Sequence, residues 1–257
     1  MQSAKMSLSI VSHAQIGLIS RLLNDLQEHC AHRDIEIILT LNLPEQLPFD
    51  ENSFAFPIKL IKNPTPLGFG ANHNQAFAAS SGAYFCILNP DILLQSDPFD
   101  ALLLALTDIG TGVVAPRVVN VEGGLEDSAR FFPTPIEIIG KVFGRPSNVY
   151  KSDAVIGFPD WVAGMFMLLK REVFHEIQGF DTRYFMYYED VDLCATLAAH
   201  GYRSALCNSV TVIHDARRTS HRKLRYLKWH LTSMLRFFLY RYARKWLGIG
   251  RPGERVK

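Results

Sequence analysis

Three groups of acid, amide and imidazole side chains have the spacing for chemistry. Asn89 and Asp91 follow the apolar run Phe85–Leu88 directly. A buried strand that stops there places both side chains at its carboxyl end, where ligands bind in an open α/β sheet. A carboxylate with an oxygen-bearing amide two residues before it suits a hard divalent cation such as Mg2+ or Mn2+. The same Asn-Pro-Asp also makes a good turn. Glu189, Asp190 and Asp192 bring three carboxylates into four residues, just after the rings of Tyr184, Phe185, Tyr187 and Tyr188. Acids in a first helical turn favour the helix dipole, but such crowding is costly unless a cation or a reaction uses it. His214 ends the run Thr211–Ile213. An imidazole there is either a hydrogen-bonded structural residue or a further metal ligand.

The elements that must position these groups alternate. Ser7–Val11 reads as a first strand ending at Ser12-His13. A helix from Gln15 to Cys30 follows, with Ile16, Ile19, Leu22, Leu23 and Leu26 at helical spacing. Ile35–Leu39 is a second strand with the pattern of burial on both faces. After a loop with Pro44 and Pro48, Ile58–Ile61 is a third. This order predicts a mostly parallel, doubly wound α/β sheet. The loop Asn63–Asn74 carries Gly68 and Gly70 and feeds a helix over Ala71–Ser80, which Gly82 is expected to cap. A glycine loop at a helix N-terminus can hold phosphate or ribose oxygens. It is neither a Walker loop nor the dinucleotide fingerprint.

Further on, a helix over Pro98–Leu106 and a strand over Gly112–Ala115 precede an irregular stretch from Arg117 to Gly157. That stretch carries Arg130, Phe131, Phe132 and Arg145; an insertion of this length is expected to cover the site and help define the acceptor. Trp161–Leu169 reads as a strand with Gly164 inside it, a mark of close backbone approach. A short helix, Lys170–Gln178, ends at Gly179, and the acid-led helix runs to His200 with Gly201 as its cap.

The chain has 257 residues, 48% of them apolar, enough for a sizeable α/β core. Cys30, Cys86, Cys194 and Cys207 lack metal or redox spacing, so free thiols in a reducing compartment are expected. The N-terminus lacks a signal-peptide pattern, and no apolar run approaches the roughly 18 residues of a spanning helix. The net charge of +2 hides an asymmetry. From Arg217 to Lys257 there are 13 Lys and Arg against one acid, Glu254, leaving 14 basic and 24 acidic residues elsewhere. An acidic body with a basic tail signals an anionic partner.

The ordered set of motifs resembles the family 2 glycosyltransferases of the GT-A fold, and within them the rhamnosyltransferase-like branch of bacterial surface polysaccharide synthesis. Members carry an asparagine, a glycine eight residues on and then Asp-x-Asp; Asn74, Gly82, Asn89 and Asp91 keep that spacing. They also carry Gly-Gly-Phe-Asp, Glu-Asp-x-Asp-Leu and a strand ending in His. Here these read Gln178–Asp181, Glu189–Leu193 and His214. The resemblance implies that Asp91 and His214 bind the metal bridging a nucleotide diphosphate, and that Asp190 is the general base. It places Ser12, His13, Asn42, Gly68, Gly70, Asn74 and Asn89 near the nucleotide. Trp161, Gly164, Asp181 and Glu189 fall near the sugar or acceptor. Two departures stand out: Asn89 replaces the first Asp, and Leu41-Asn42 stands where an acid often follows the second strand.

The expectation is a catalytic domain over residues 1–216 and a basic amphipathic extension over 217–257. Leu224, Leu227, Leu231, Met234, Leu235, Phe238, Tyr242 and Trp246 fall on one helical face of that extension, with most basic residues opposite. The apolar stripe either packs on the domain or lies in an anionic membrane surface. No nucleic-acid module is present. The expected activity is inverting, metal-dependent transfer of L-rhamnose from dTDP-L-rhamnose to a lipid-linked glycan of lipopolysaccharide or capsule. It would take place in the cytoplasm, at the inner face of the plasma membrane. The alternatives are a UDP-galactose or UDP-N-acetylglucosamine donor, or a non-catalytic nucleotide-sugar-binding protein.

Overall fold

The computed structural model describes residues 5–136, 150–215 and 224–247. Arg145, Arg222 and the expected 216/217 boundary lie outside the described residues, as do the side chains of Leu224, Tyr242 and Trp246. The elements run β1 (Met6–Ser12), α1 (Ile16–Cys30), β2 (Ile35–Leu41), β3 (Ile58–Lys62), α2 (Phe69–Ala79) and β4 (Tyr84–Leu88). Next come β5 (Ile92–Leu93), α3 (Phe99–Ala105), β6 (Thr111–Asn120), β7 (Ala129–Arg130), β8 (Ile156–Gly157) and β9 (Trp161–Val162). The last are β10 (Phe166–Lys170), α4 (Arg171–Glu176), α5 (Glu189–Ala199), β11 (Arg203–His214) and α6 (Leu224–Leu247).

The main sheet has the order β3-β2-β1-β4-β10-β6-β11-β5, with β8 beside β11. β1 pairs in parallel with β2 and with β4, and β10 runs antiparallel between β4 and β6. The chain therefore changes direction across the sheet at β1 and β4, which opens a crevice beyond their carboxyl ends. Alternation along each strand feeds two cores. Leu8, Ile10, Cys86 and Leu88 meet α1 and α3 on one face. Phe85, Ile87, Met167 and Leu169 meet α2, α4 and α5 on the other. All four cysteines are buried free thiols.

Three local expectations are corrected. Trp161–Leu169 is not one strand: it breaks into β9 and β10 at Ala163–Met165. Gly82 does not cap α2, which ends at Ser80. A Cβ on Gly82 would lie 2.7 Å from the Ser7 backbone nitrogen, so close packing on β1 requires the glycine. The strand expected at Gly112–Ala115 runs to Asn120, absorbing the start of the irregular stretch.

One acid lies buried inside β2. The Glu36 side chain is 1% exposed and accepts from Ser7 Oγ at 2.7 Å and from Ser81 N and Oγ at 2.6 and 2.8 Å. Lys5 and Lys59 lie 3.3 and 2.9 Å from its other oxygen. Burial alone would raise its pKa, but the donors from Ser7, Lys59 and Ser81 hold it well below the ordinary value.

The C-terminal helix packs with an unexpected face. Trp229 lies 4.6 Å from Phe185, Tyr188 lies 5.6 Å from Phe237, and Ser233 Oγ donates to Met186 O at 2.9 Å. Phe237 is 1% exposed, whereas Leu227, Leu231, Leu235 and Leu239 are each about half exposed or more. The rings scattered among the basic residues make the interface, and Arg236 and Arg241 go with them, onto Arg183 O and the Phe132 ring. The leucine stripe points outward.

Glu36 yields a signed prediction. Because its folded pKa is depressed, its stabilisation is present above the unfolded value of about 4.5 and is lost as pH falls below it. Glu36→Gln should cost about 2 kcal/mol at neutral pH. In urea titrations at pH 7 and pH 3, the gap between wild type and variant should narrow at the lower pH.

Candidate active site

The turn after β4 is fixed by backbone. Asn89 N donates to Met165 O at 2.9 Å, and Ile92 N to Asn89 O at 3.3 Å. β5 then pairs antiparallel with the end of β11, matching Ile92 with His214. Asp215 N donates to Asp91 O at 2.8 Å. This pairing sets His214 Nε2 3.3 Å from Asp91 Oδ2, with the two side chains 13% and 16% exposed. Asp91 Oδ1 and His214 Nδ1 are buried without a hydrogen-bond partner among the described residues. Burial would lower the imidazole pKa, but Asp91, Glu126 and Asp215 raise it by more.

An unspent carboxylate oxygen beside an imidazole fits a divalent cation. No group of three or more His, Cys, Asp or Glu side chains suited to a metal occurs among the described residues. A cation here would complete its shell with substrate phosphates and water, as Mg2+ commonly does.

Asp91 opens onto a cleft of about 470 Å³ beyond the ends of β1, β2 and β4. His13, Asn42 and Asn89 line it, as expected, together with Gln15, Leu67 and Asn72. An amide network shapes its floor. Asn63 Nδ2 donates to Asn42 Oδ1 at 2.9 Å and to Asn72 Oδ1 at 2.6 Å. Asn42 grips Leu67 through both N and O, at 2.8 and 2.9 Å, and reaches His13 Nδ1 at 3.2 Å. Phe185, Met186 and three residues of α6 (Arg225, Tyr226 and Trp229) line the same cleft.

Four residues expected near the nucleotide have other work. Ser12 is fully buried and donates to Glu45 Oε1 at 2.6 Å. Gly68 and Gly70 do not line the cleft. A Cβ on Gly68 would lie 2.7 Å from Phe185 O, and one on Gly70 2.6 Å from Phe180 Cβ, so both serve tight packing of α2. Asn74 uses both ends of its amide on the Phe180 backbone, at 2.8 and 2.9 Å.

The acid-led helix α5 enters through two residues in the left-handed region, Tyr187 at φ 70° and Tyr188 at φ 67°. Asp190 accepts from Gly164 N at 3.0 Å and Val191 N at 2.8 Å. Met165, next to Gly164, accepts from Asn89 N, so the Asn89 turn and Asp190 are tied to consecutive residues of one backbone segment. Burial raises the Asp190 pKa against those backbone donors. Glu189 is pushed further up by burial and by Asp190, and its Oε2 has no partner among the described residues. Gly164 leaves room for the Phe69 ring, which a Cβ would meet at 3.0 Å. Trp161 Nε1 donates to Phe131 O at 3.1 Å. Asp181 is held by Arg183, which stacks 3.9 Å from the Tyr240 ring. Neither Trp161 nor Asp181 lines the cleft.

Sequence reasoning missed Glu45, Asn63 and the α6 residues. Glu45 sits just beyond the expected acid position and accepts from Ser12 Oγ and from Ala14 N and Ile16 N at 3.0 Å, so it caps α1. Asn63 opens the loop whose later part, Gly68 to Asn74, is the part expected near the nucleotide.

Comparison with known proteins follows the same lines. The model of Glycosyl transferase family 2 matches residues 7–178. Rhamnosyltransferase WbbL of Escherichia coli is 31% identical over 205 residues, covering 74% of this chain and 75% of that protein. The N-acetylglucosaminyl-diphospho-decaprenol L-rhamnosyltransferase of Mycobacterium tuberculosis is 28% identical over 215 residues, covering 74% of this chain and 69% of its own. In fold, the chain resembles GalNAc-T7 crystallised with UDP, GalNAc and Mn2+, at TM-score 0.65 and 15% identity, over 84% of this chain and 44% of that one. It also resembles a Pyrobaculum calidifontis mannosyltransferase solved with GDP-Man and Mn2+, at TM-score 0.61 and 17% identity, over 91% and 65%. The family match spans well over half of the chain and the first relative three quarters of it. The chain therefore belongs to glycosyl transferase family 2, in its rhamnosyltransferase-like branch, and is a glycosyltransferase of the GT-A fold.

Proposed function

We propose that this enzyme transfers L-rhamnose from dTDP-L-rhamnose to a lipid-linked glycan, with inversion and with a divalent cation. The observation that carries the reading is the Asp91–His214 pair, each with one buried atom unpartnered among the described residues, with Asp91 lining the cleft. The rhamnosyl donor is supported by the names of the two relatives, one of which acts on a diphospho-decaprenol acceptor.

Asp91 and His214 would hold the Mg2+ or Mn2+, which when bound neutralises charge on the leaving diphosphate. Asn89 would present a neutral amide to the donor. Asp190 takes the proton from the acceptor hydroxyl as its oxygen bonds to the anomeric carbon and the bond to the diphosphate breaks. Its raised pKa suits a base that must hold a proton briefly. Burial and the neighbouring Asp190 raise the Glu189 pKa as well.

The lipid-linked acceptor draws in α6. Among the described residues no helix is long and apolar enough to cross a membrane. The exposed row Leu227, Leu231, Leu235 and Leu239, with Lys228 beside it, suits a helix lying in an anionic membrane surface, at the inner face of the plasma membrane.

Calorimetry with dTDP, UDP and GDP, with and without Mn2+, tests the donor. Metal-dependent binding of dTDP, lost in Asp91→Ala, is expected; preference for UDP would instead select a galactose or N-acetylglucosamine donor. Asp190→Asn should lower turnover by about 10²–10⁴-fold with nucleotide affinity unchanged. In the wild type, the rate should rise with pH along a limb above the ordinary carboxylate range. Unchanged turnover would remove Asp190 from this role. For the membrane, co-sedimentation should favour phosphatidylglycerol over phosphatidylcholine vesicles, weaken with salt, and be lost in Leu231→Glu/Leu235→Glu. Equal partitioning onto both lipids would exclude the electrostatic part.

A further inference from the structure

The C-terminal helix reaches the reaction centre itself. The first turns of α6 bring Arg225, Tyr226 and Trp229 to the cleft that contains Asn89 and Asp91. Their position is set by packing. The Trp229 ring lies 4.6 Å from Phe185, and Tyr226 meets it edge-on at 5.4 Å. Ser233, one turn further on, donates to Met186 O at 2.9 Å. Phe185 O in turn accepts from Phe69 N at 2.9 Å, so one backbone segment seats both α6 and the start of α2.

Arg225 stands out within this wall. Its guanidinium lies 4.9 Å from the Trp229 ring centroid, and no carboxylate pairs with it among the described residues. Stacking on an indole restrains the guanidinium plane and leaves its N–H edge free. That edge is a planar fork matched to phosphate oxygens. A cation that lines the same cleft as Asp91, and that no carboxylate pairs with among the described residues, gives a phosphorylated ligand an attractive side. It also gives the ligand's charge a defined place.

We propose that Arg225 binds the diphosphate of the donor, and that the donor site is complete only with α6 docked. The inference rests on the nucleotide-sugar reading given above. It assigns the C-terminal helix to the donor as well as to a membrane surface. The two duties use opposite faces, the aromatic one inward and the leucine one outward.

The test is calorimetry on the full chain with Mn2+ present, using dTDP, dTMP and thymidine, and the UDP series if UDP is the better ligand. Arg225→Ala should weaken nucleoside diphosphate binding about 10–100-fold, leave nucleoside binding within about twofold, and flatten the dependence of diphosphate binding on salt. Arg225→Lys should recover part of the loss, since it restores charge without the fork. Thermal melting should match wild type, because Arg225 is exposed and unpaired. If wild type binds diphosphates and Arg225→Ala binds them equally well, the inference fails and the donor reading stands. Equal weakening toward all three ligands would make α6 a general wall and would also overturn the role for Arg225. If wild type binds no nucleotide, the donor reading falls and this inference falls with it.

Discussion

A pairing of two residues on each side joins β5 to the end of β11 and sets Asp91 against His214. Everything else in the site is arranged around that join. β11 reaches it only by running twelve residues beside β6, with an irregularity between Cys207 and Thr211 that re-aims its last part. The Asn89 turn is pinned from the other side by Met165. Asp190 accepts from the neighbouring Gly164, so its carboxylate and the Asn89 turn are held by one short stretch of backbone. A shift of β10 relative to β4 would therefore move both together.

Three acids, Glu36 and Glu189 buried and Asp190 half-buried, show how one fold assigns different states to the same functional group. Glu36 is surrounded by donors, and its carboxylate is held ionised far below the usual range. Asp190 has two backbone donors but is desolvated, and its pKa rises. Glu189 rises above its ordinary value through burial and the neighbouring Asp190, with a single backbone donor against them. The sequence of these environments follows from what packs nearby: serines and lysines around β2, rings and a glycine around α5. Burial alone does not decide the charge; the number of donors supplied does.

The sequence was most legible where periodicity and spacing carry the information. β1, α1, β2 and β4 lie within a residue or two of their expected bounds, because burial on both faces leaves a continuous apolar signature. Asp91 and His214, distant in sequence, do come together, and Asp190 is tied to the backbone segment that holds the Asn89 turn. The glycines were read less well. Gly68, Gly70 and Gly82 answer to Phe185, Phe180 and Ser7, contacts that no local pattern reveals. Glu36, inside a run of Ile and Leu, gave no hint of the two serines and two lysines that meet it. For α6, an apolar stripe was visible but the choice of docking face was not. The aromatic residues Trp229 and Phe237 find rings of the domain to pack on, whereas the leucines find none.

Tyr187 and Tyr188 occupy a conformation that glycine would adopt more comfortably, at a cost of about 1–3 kcal/mol each. Tyr188 packs on His230 and Phe237, and Tyr187 on His230, so the strained backbone is what turns both rings toward α6. Anyone engineering this enzyme for heat tolerance would meet a trap here. Glycines at these positions relax the backbone locally, yet they erase the ring contacts with His230 and Phe237 that help to hold the C-terminal helix. Thermostability gained in the catalytic core would be lost as a detached helix, and the useful changes lie elsewhere in the molecule.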